Sequence, residues 1–384
     1  MTSFEIIDSL IHSALKTTAP SIALAVYHHG EIFAERAYGY LDPETQRQPV
    51  LNSTQFDLAS VTKLFTTTAF LMQVTAGKAK IDDKVVSVLP EFAKYGERDI
   101  EGGQNPHTLE RETNTLDGTV DPSQVTFRHL LTHTSGLAPW RDLFLTVGDL
   151  PPAPETGETV NHQERLTKAL DLIATYPYVS NLGEKVNYSD LGLITLGAAV
   201  ARIEHKATLA DVIYERVSPA VTYNPPIPEK CPPTEYDERW RKRRCQGEVH
   251  DESACSLGGI AGHAGLFGSA DQVAQLGLRW LYALDGNDPQ LSQDIAKEAI
   301  TNHREDRGLG WVLRSSEGSS SGQYFSENSF GHTGFTGTTL WVDPHRQLVV
   351  ALMTNRVYYG RESLEILTFR KKLHDAVVLW IDTL

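Results

Sequence analysis

Phe56-Asp57-Leu58-Ala59-Ser60-Val61-Thr62-Lys63 is the stretch on which the reading of this chain turns. After it Leu64, Phe65, Thr68, Leu71 and Met72 continue Val61 at helical spacing until Gly77. The stretch therefore opens a helix, with Ser60 in the first turn and Lys63 one turn on, on the same face. A hydroxyl and an amine at that spacing meet the needs of nucleophilic catalysis. Serine is unreactive until a base takes its proton, and a lysine desolvated in a cleft has its pKa lowered enough to serve. The helix N-terminus adds a positive dipole end and free N–H groups where negative charge would develop. Alone, S-x-x-K is a short pattern that recurs by chance, and its plain alternative is an N-cap serine followed by a surface lysine.

Working outward, the period of the chain changes twice. Residues 22–27 form a nearly continuous apolar strand, His28-His29-Gly30 a turn, and 31–38 a second strand; near the other end 338–342 and 347–354 flank Asp343-Pro344-His345-Arg346 in the same way. Between these hairpins 166–176, 191–204 and 209–217 read as helices. Each hairpin must bury an apolar face. One antiparallel sheet built from both termini does so, flanked by helices, with a mostly helical lobe inserted and the ligand site in the cleft between lobes. The expected class is thus α/β in the α+β sense. The polar 95–122 segment reads as a surface insertion, and 223–233, with five prolines, as a rigid non-helical connector. There is no internal repeat.

Composition narrows the partners. In 384 residues, 35 Lys and Arg stand against 49 Asp and Glu, a net charge of −14 that repels phosphate backbones and anionic lipid, so neither nucleic acid nor membrane is an expected partner. The basic run 239–244 reads as a solvated segment. Cys231, Cys245 and Cys255 are an odd number without a CxxC, so free thiols in a reducing compartment are expected, with no disulfide framework and no zinc. No export signal or membrane span is read, which makes the expected location cytoplasmic.

Two further segments raise the weight of Ser60 and Lys63. Asn187-Tyr188-Ser189-Asp190 precedes the helix at 191, and Gly331-His332-Thr333-Gly334-Phe335-Thr336-Gly337 leads into the C-terminal hairpin. With them the sequence resembles the serine β-lactamase and penicillin-binding-protein superfamily, whose motifs are S-x-x-K, then Y-x-N or S-x-N, then K-T-G or H-x-G, in this order. Leu130-Leu131-Thr132-His133-Thr134-Ser135-Gly136-Leu137, Gly262-His263-Ala264-Gly265-Leu266-Phe267 and Gly308-Leu309-Gly310-Trp311 are similar to segments of its class C-like branch, and the resemblance spans about 21–355.

The resemblance implies one β-lactamase/transpeptidase-like domain over 1–384, with a sheet lobe at 1–57 and 265–384 and a helical lobe at 58–264. It implies Ser60 as acylated nucleophile, Lys63 as base or proton partner, Tyr188 as the phenol that passes the proton to the leaving group, and an oxyanion hole of the Ser60 and Phe335 backbone N–H groups. Asp190, His332, Thr333 and Gly334 would line the substrate site, with no cofactor and no metal. Two positions depart from the usual pattern. Asp190 replaces an amide with an acceptor-only carboxylate, which equally well caps a helix. His332 replaces a fixed cation with one mostly lost above about pH 6.5.

Other constellations carry less. His129 and His133 lack the intervening Glu of a metal helix. His250, Asp251 and His263 read as structural or as a polar cluster near the cleft, and Arg356 and Arg361 as surface arginines or carboxylate readers. Gly318-Ser319-Ser320-Ser321-Gly322 fits G-x-S-x-G formally, but lies in a serine-glycine run with few strands or helices after it, and reads as a loop. The expected activity is that of a serine hydrolase acting on an ester, amide or peptide, of carboxylesterase or D-amino acid peptidase or amidase type. The alternatives are a β-lactamase or D-Ala-D-Ala carboxypeptidase, a non-catalytic penicillin- or peptide-binding sensor, and an acyltransferase. A neutral His332 predicts a preference for uncharged substrates that weakens below about pH 6.

Overall fold

The computed structural model describes residues 3–106, 108–112 and 116–384. The chain opens with helix α1 (Ser3–Thr17) and the hairpin β1 (Ser21–His28) and β2 (Glu31–Gly39). Helices α2 (Thr62–Thr75), α3 (Asp190–Ile203) and α4 (Ala270–Leu284) follow, and then β3 (Val312–Leu313), β4 (Phe330–Thr333), β5 (Thr339–Asp343), β6 (Leu348–Thr354) and α5 (Glu365–Ile381). The six strands make one antiparallel sheet in the order β3-β4-β5-β6-β1-β2. The two ends of the chain meet inside it, Ile22 opposite Thr354 and His28 opposite Leu348.

The unbroken apolar run of β1 has a physical cause: both faces are covered. Ile22, Leu24 and Val26 join Ile7 and Ile11 of α1 and Leu373 and Val377 of α5 in one core layer. Ala23, Ala25 and Tyr27 join Val273 and Trp280 of α4 and, behind them, the residues of α2 and α3 in the other.

Four expectations are corrected or narrowed. The G-x-S-x-G run is followed by β4, β5, β6 and α5, so regular structure does come after it. It is still no nucleophile elbow, since Ser319 and Ser321 share a hydrogen bond at 2.8 Å and the Ser320 carbonyl accepts from His374 at 3.0 Å. The 95–122 segment is not all surface. Its stretches Arg98–Ile100 and Leu116–Val120 pair, and Arg98 is buried, donating to the carbonyls of Ile173 and Tyr176 and to Tyr178 Oη. Within that segment 107 and 113–115 lie outside the described residues. The basic run is solvated only in part: Arg239 and Lys242 are exposed, but Arg241 is buried on Cys245 Sγ and the His250 carbonyl, Arg243 pairs with Glu248, and Arg244 holds the carbonyls of Thr234 and Tyr358. Lastly, of the two helix-start positions open to Asp190, N-cap or first turn, it takes the first turn, because Ser189 caps α3 by accepting from Gly192 N–H at 3.2 Å.

Cys231, Cys245 and Cys255 are buried and unpaired. Among the described residues no helix is long and apolar enough to cross a membrane.

Candidate active site

Ser60 lies in a tight turn, Ala59–Val61, that runs into α2, so it stands just ahead of the α-helix rather than in its first turn. Ala59 before it has φ +45°, in the left-handed region where a side chain is strained. Three groups hold that strain. The buried Asp57 carboxylate accepts from Ala59 N–H at 2.8 Å and from His250 N–H at 2.6 Å. Thr336 Oγ1 donates to the Asp57 carbonyl at 2.8 Å and Thr338 Oγ1 to the Leu58 carbonyl at 2.9 Å. Between these threonines the backbone passes so close that a Cβ on Gly334 would stand 2.7 Å from the Leu58 carbonyl oxygen and 2.1 Å from Thr338 Oγ1. The glycine and threonines of the third motif thus fasten it to the residues preceding Ser60 and bring Phe335 beside the serine. The Phe335 N–H makes no hydrogen bond with a described residue, as an oxyanion donor requires.

Lys63 is buried; its ammonium donates to Ser60 Oγ at 2.9 Å and to the His263 carbonyl at 3.0 Å, and pairs with Asp190 Oδ1 at 2.8 Å. The expectation of a lowered lysine pKa is corrected here. Burial does pull it down, but the Asp190 carboxylate and the Tyr188 hydroxyl outweigh burial and hold it up at about 12. Two glycine-bearing segments set this geometry. The His263 carbonyl comes from the 262–267 stretch, where Gly262 accepts from Thr66 of α2 at 2.9 Å. Gly310, at φ +75°, lets the backbone approach Thr67 so closely that a Cβ would lie 2.1 Å from its hydroxyl.

Tyr188 brings its hydroxyl into hydrogen-bonding reach of Lys63 and Ser60, and Lys63 Nζ lies 4.8 Å from its ring centre. Burial and Asp190 raise the phenol pKa, against the pull of Lys63. His133 backs the ring at 4.6 Å, and its Nδ1 accepts the Ser189 N–H at 3.0 Å. Burial keeps His133 neutral where it backs the Tyr188 ring, while His129 engages Thr126. On another side His332 lies 5.9 Å from the Tyr188 ring. His332 Nδ1 donates to the Thr333 carbonyl at 2.8 Å, and burial with the nearby Lys63 and Arg307 holds its pKa down at about 3. The expectation that acidification to pH 6 makes it a cation is therefore corrected.

The cleft beside Ser60 is also lined by Trp140, His250, Asp251, Glu252, His263, Phe335 and Arg361. Asp251 meets His263 Nε2 at 2.8 Å, and His250 stacks on Phe335 at 5.4 Å, so this cluster is part of the site wall. Arg361 bridges Glu235 and Glu252, and Arg356 donates to the carbonyls of Phe335, Arg361 and Ser363, so neither is a surface arginine. Sequence reasoning missed Asp57, the clamp by His133, and Arg307, whose guanidinium lies 5.6 Å from the Tyr188 ring centre. Asp57 alone had a local signal, standing within the helix-opening motif.

An antiparallel sheet from both termini, with a serine in the turn ahead of a helix and a lysine on that helix facing the third-motif strand, is a penicillin-binding-protein-like fold. The chain belongs to the beta-lactamase family, whose model matches residues 7–373. It is 30% identical over 382 residues to an N-acetylmuramyl-L-alanine amidase of Bacillus subtilis (strain 168), across 91% of this chain and 80% of that one. The fold is shared with EstCE1, a hydrolase with promiscuous acyltransferase activity, at a TM-score of 0.71 and 19% identity, covering 98% of both chains. It is shared also with the LovD6 mutant of simvastatin synthase from Aspergillus terreus, at a TM-score of 0.70 and 17% identity, covering 98% of this chain and 95% of that one.

Proposed function

We propose that this chain is a serine hydrolase that opens an ester or amide through an acyl-enzyme on Ser60. The observation that carries the reading is the ammonium of Lys63 between Ser60 Oγ, at 2.9 Å, and Asp190, at 2.8 Å. Held as an ammonium by the Asp190 carboxylate, Lys63 has no lone pair for the serine proton. Its role is to stabilise the oxygen from which that proton leaves. Tyr188 is the group in reach that can accept it. It must first release its own proton to water: taking a phenol from its ordinary pKa near 10 to the phenolate requires about 4 kcal/mol at pH 7, and more here because burial raises it. Ser60 Oγ then attacks the carbonyl carbon, the oxyanion forms against the Ser60 and Phe335 N–H groups, and the Tyr188 hydroxyl returns the proton to the leaving oxygen or nitrogen. Water takes the reverse route to free the acyl group.

The name of the Bacillus subtilis relative supports an amide as the natural substrate. The reacting groups also support the division into a helical lobe, 58–264, holding Ser60, Lys63, Tyr188 and Asp190, and a sheet lobe, 1–57 and 265–384, holding His332 to Phe335.

Intact mass after treatment with an uncharged fluorophosphonate tests the nucleophile: one adduct on Ser60, none in Ser60→Ala. Tyr188→Phe and Lys63→Ala should each lower kcat by at least about a hundredfold, and the double variant by less than the product. An adduct on another serine, or normal acylation in Tyr188→Phe, would remove the proposal.

A further inference from the structure

Besides the acid-lined side of the cleft, Ser60 and Tyr188 open onto a second cavity of about 340 Å³ whose wall includes Arg307, Arg356 and Arg370, with Val312, Leu364, Ile366 and Leu367, and no carboxylate. The three arginines are not equivalent. Arg356 is taken up by backbone carbonyls. Arg370 is buried on α5, and its Nε has no hydrogen-bond partner among the described residues. Arg307 is half-buried, and its side chain makes no hydrogen bond or ion pair with any described residue; its guanidinium lies over the face of the Tyr188 ring, 5.6 Å from its centre.

The other basic groups of the site are already balanced or neutral. Lys63 is neutralised by Asp190 at 2.8 Å, and His332 and His133 are neutral. Arg307 feels the carboxylates of Glu305 and Asp306 in its own loop but forms an ion pair with neither, so it is a cation partly removed from water with no anion in contact, next to the nucleophile. Such a group is unfavourable unless an anion meets it, and a guanidinium presents a fork of donors that matches a carboxylate. The neighbouring Val312, Leu364, Ile366 and Leu367 offer an apolar wall to whatever carries that anion.

We infer that Arg307 is a specificity-determining residue that binds a carboxylate borne on an aliphatic stem of the substrate, with Arg370 behind it in the same cavity. The inference rests on Ser60 as the site of acylation and reverses the expectation drawn from His332 alone. The third motif has lost its cation, and the loop before Gly308 supplies one in its place.

Two matched ester pairs test it, because the carboxylate can lie on either side of the scissile bond: 4-nitrophenyl hydrogen succinate against 4-nitrophenyl methyl succinate, and 3-carboxyphenyl acetate against 3-carbamoylphenyl acetate. In one pair kcat/KM for the acid should exceed that for the neutral partner by at least about tenfold, the scale of a charge-assisted bidentate contact. Arg307→Gln should bring that ratio to near one, and Arg307→Lys should restore part of it. Calorimetry gives a readout without turnover: glutarate should bind the Ser60→Ala protein, and at least about tenfold more weakly once Arg307→Gln is added. No acid preference in either pair, or a ratio unchanged in Arg307→Gln, overturns the inference while leaving Ser60 acylation standing. Failure of Ser60 to take the uncharged fluorophosphonate, with glutarate still bound through Arg307, strikes the catalytic reading instead.

Discussion

Replacing Asp190 with asparagine keeps the shape of the side chain and removes the one negative charge that touches Lys63. At 2.8 Å and an effective dielectric of about 20, the pair attracts by about 6 kcal/mol. The amide retains a hydrogen bond worth about 1 to 1.5 kcal/mol, and Asp190, 21% exposed, is partly screened by water, so a net loss of about 3 kcal/mol is expected. At 1.36 kcal/mol per unit this lowers Lys63 by about two units from about 12, which leaves it an ammonium at pH 7. The same substitution removes a charge that raises the Tyr188 phenol. The phenolate becomes easier to form, by about one unit if a third of the Lys63 effect reaches it. Asp190→Asn should therefore not abolish acylation. Its rate with a neutral 4-nitrophenyl ester should rise at pH 7 by up to about tenfold, and the ascending limb of the pH–rate profile should move about one unit toward acid. Single-turnover release of 4-nitrophenol from pH 6 to pH 10, about the span in which a phenol begins to ionise, measures both, with thermal melting as a control for folding. A folded variant slower by about a hundredfold or more at every pH, with an unmoved profile, would show that Asp190 receives the proton through Lys63, and the assignment of Tyr188 as acceptor would fail.

Three further outcomes are expected. In the native chain acylation should climb by about tenfold per pH unit between about pH 7 and pH 9, because the resting phenol is protonated; a flat profile, measured in the same assay, speaks against a phenolate base. Burial holds His332 at about 3 and His374 at about 4. Folded pKa values below the ordinary 6.5 mean that the unfolded chain takes up protons first, so their stabilising effect is complete above about pH 6.5 and declines as pH falls toward those values. By pH 5 each should have lost about 2 kcal/mol, and denaturant unfolding of His374→Gln should show a shallower decline from pH 7 to pH 5 than the native protein. Gly334→Ala would push a methyl group against the Leu58 carbonyl and Thr338 and disturb the turn before Ser60. A loss of about 1 to 3 kcal/mol in stability together with slower Ser60 labelling is expected, and unchanged labelling would dissociate the turn from reactivity.

The three residues proposed for catalysis were legible because their signals are local. A serine and a lysine one helical turn apart, a tyrosine just ahead of α3, and a glycine-threonine run entering a hairpin each announce themselves over a few residues. The two terminal hairpins were legible for the same reason, and their union in one sheet followed from the need to cover both apolar faces. The terminal helices α1 and α5 were not recognised, because their pattern makes sense only once each has the other and the sheet to pack on. What no local pattern carries is the charge state of the site. Lys63 is an ammonium because a carboxylate from the start of α3 lies against it, and His332 is neutral because the fold removes its ring from water. Arg307 stands over Tyr188 because Gly310 brings its loop against α2. Spacing along the chain sets which groups can meet within a turn or a hairpin; protonation and charge balance depend on groups distant in sequence and on how much water the fold leaves between them.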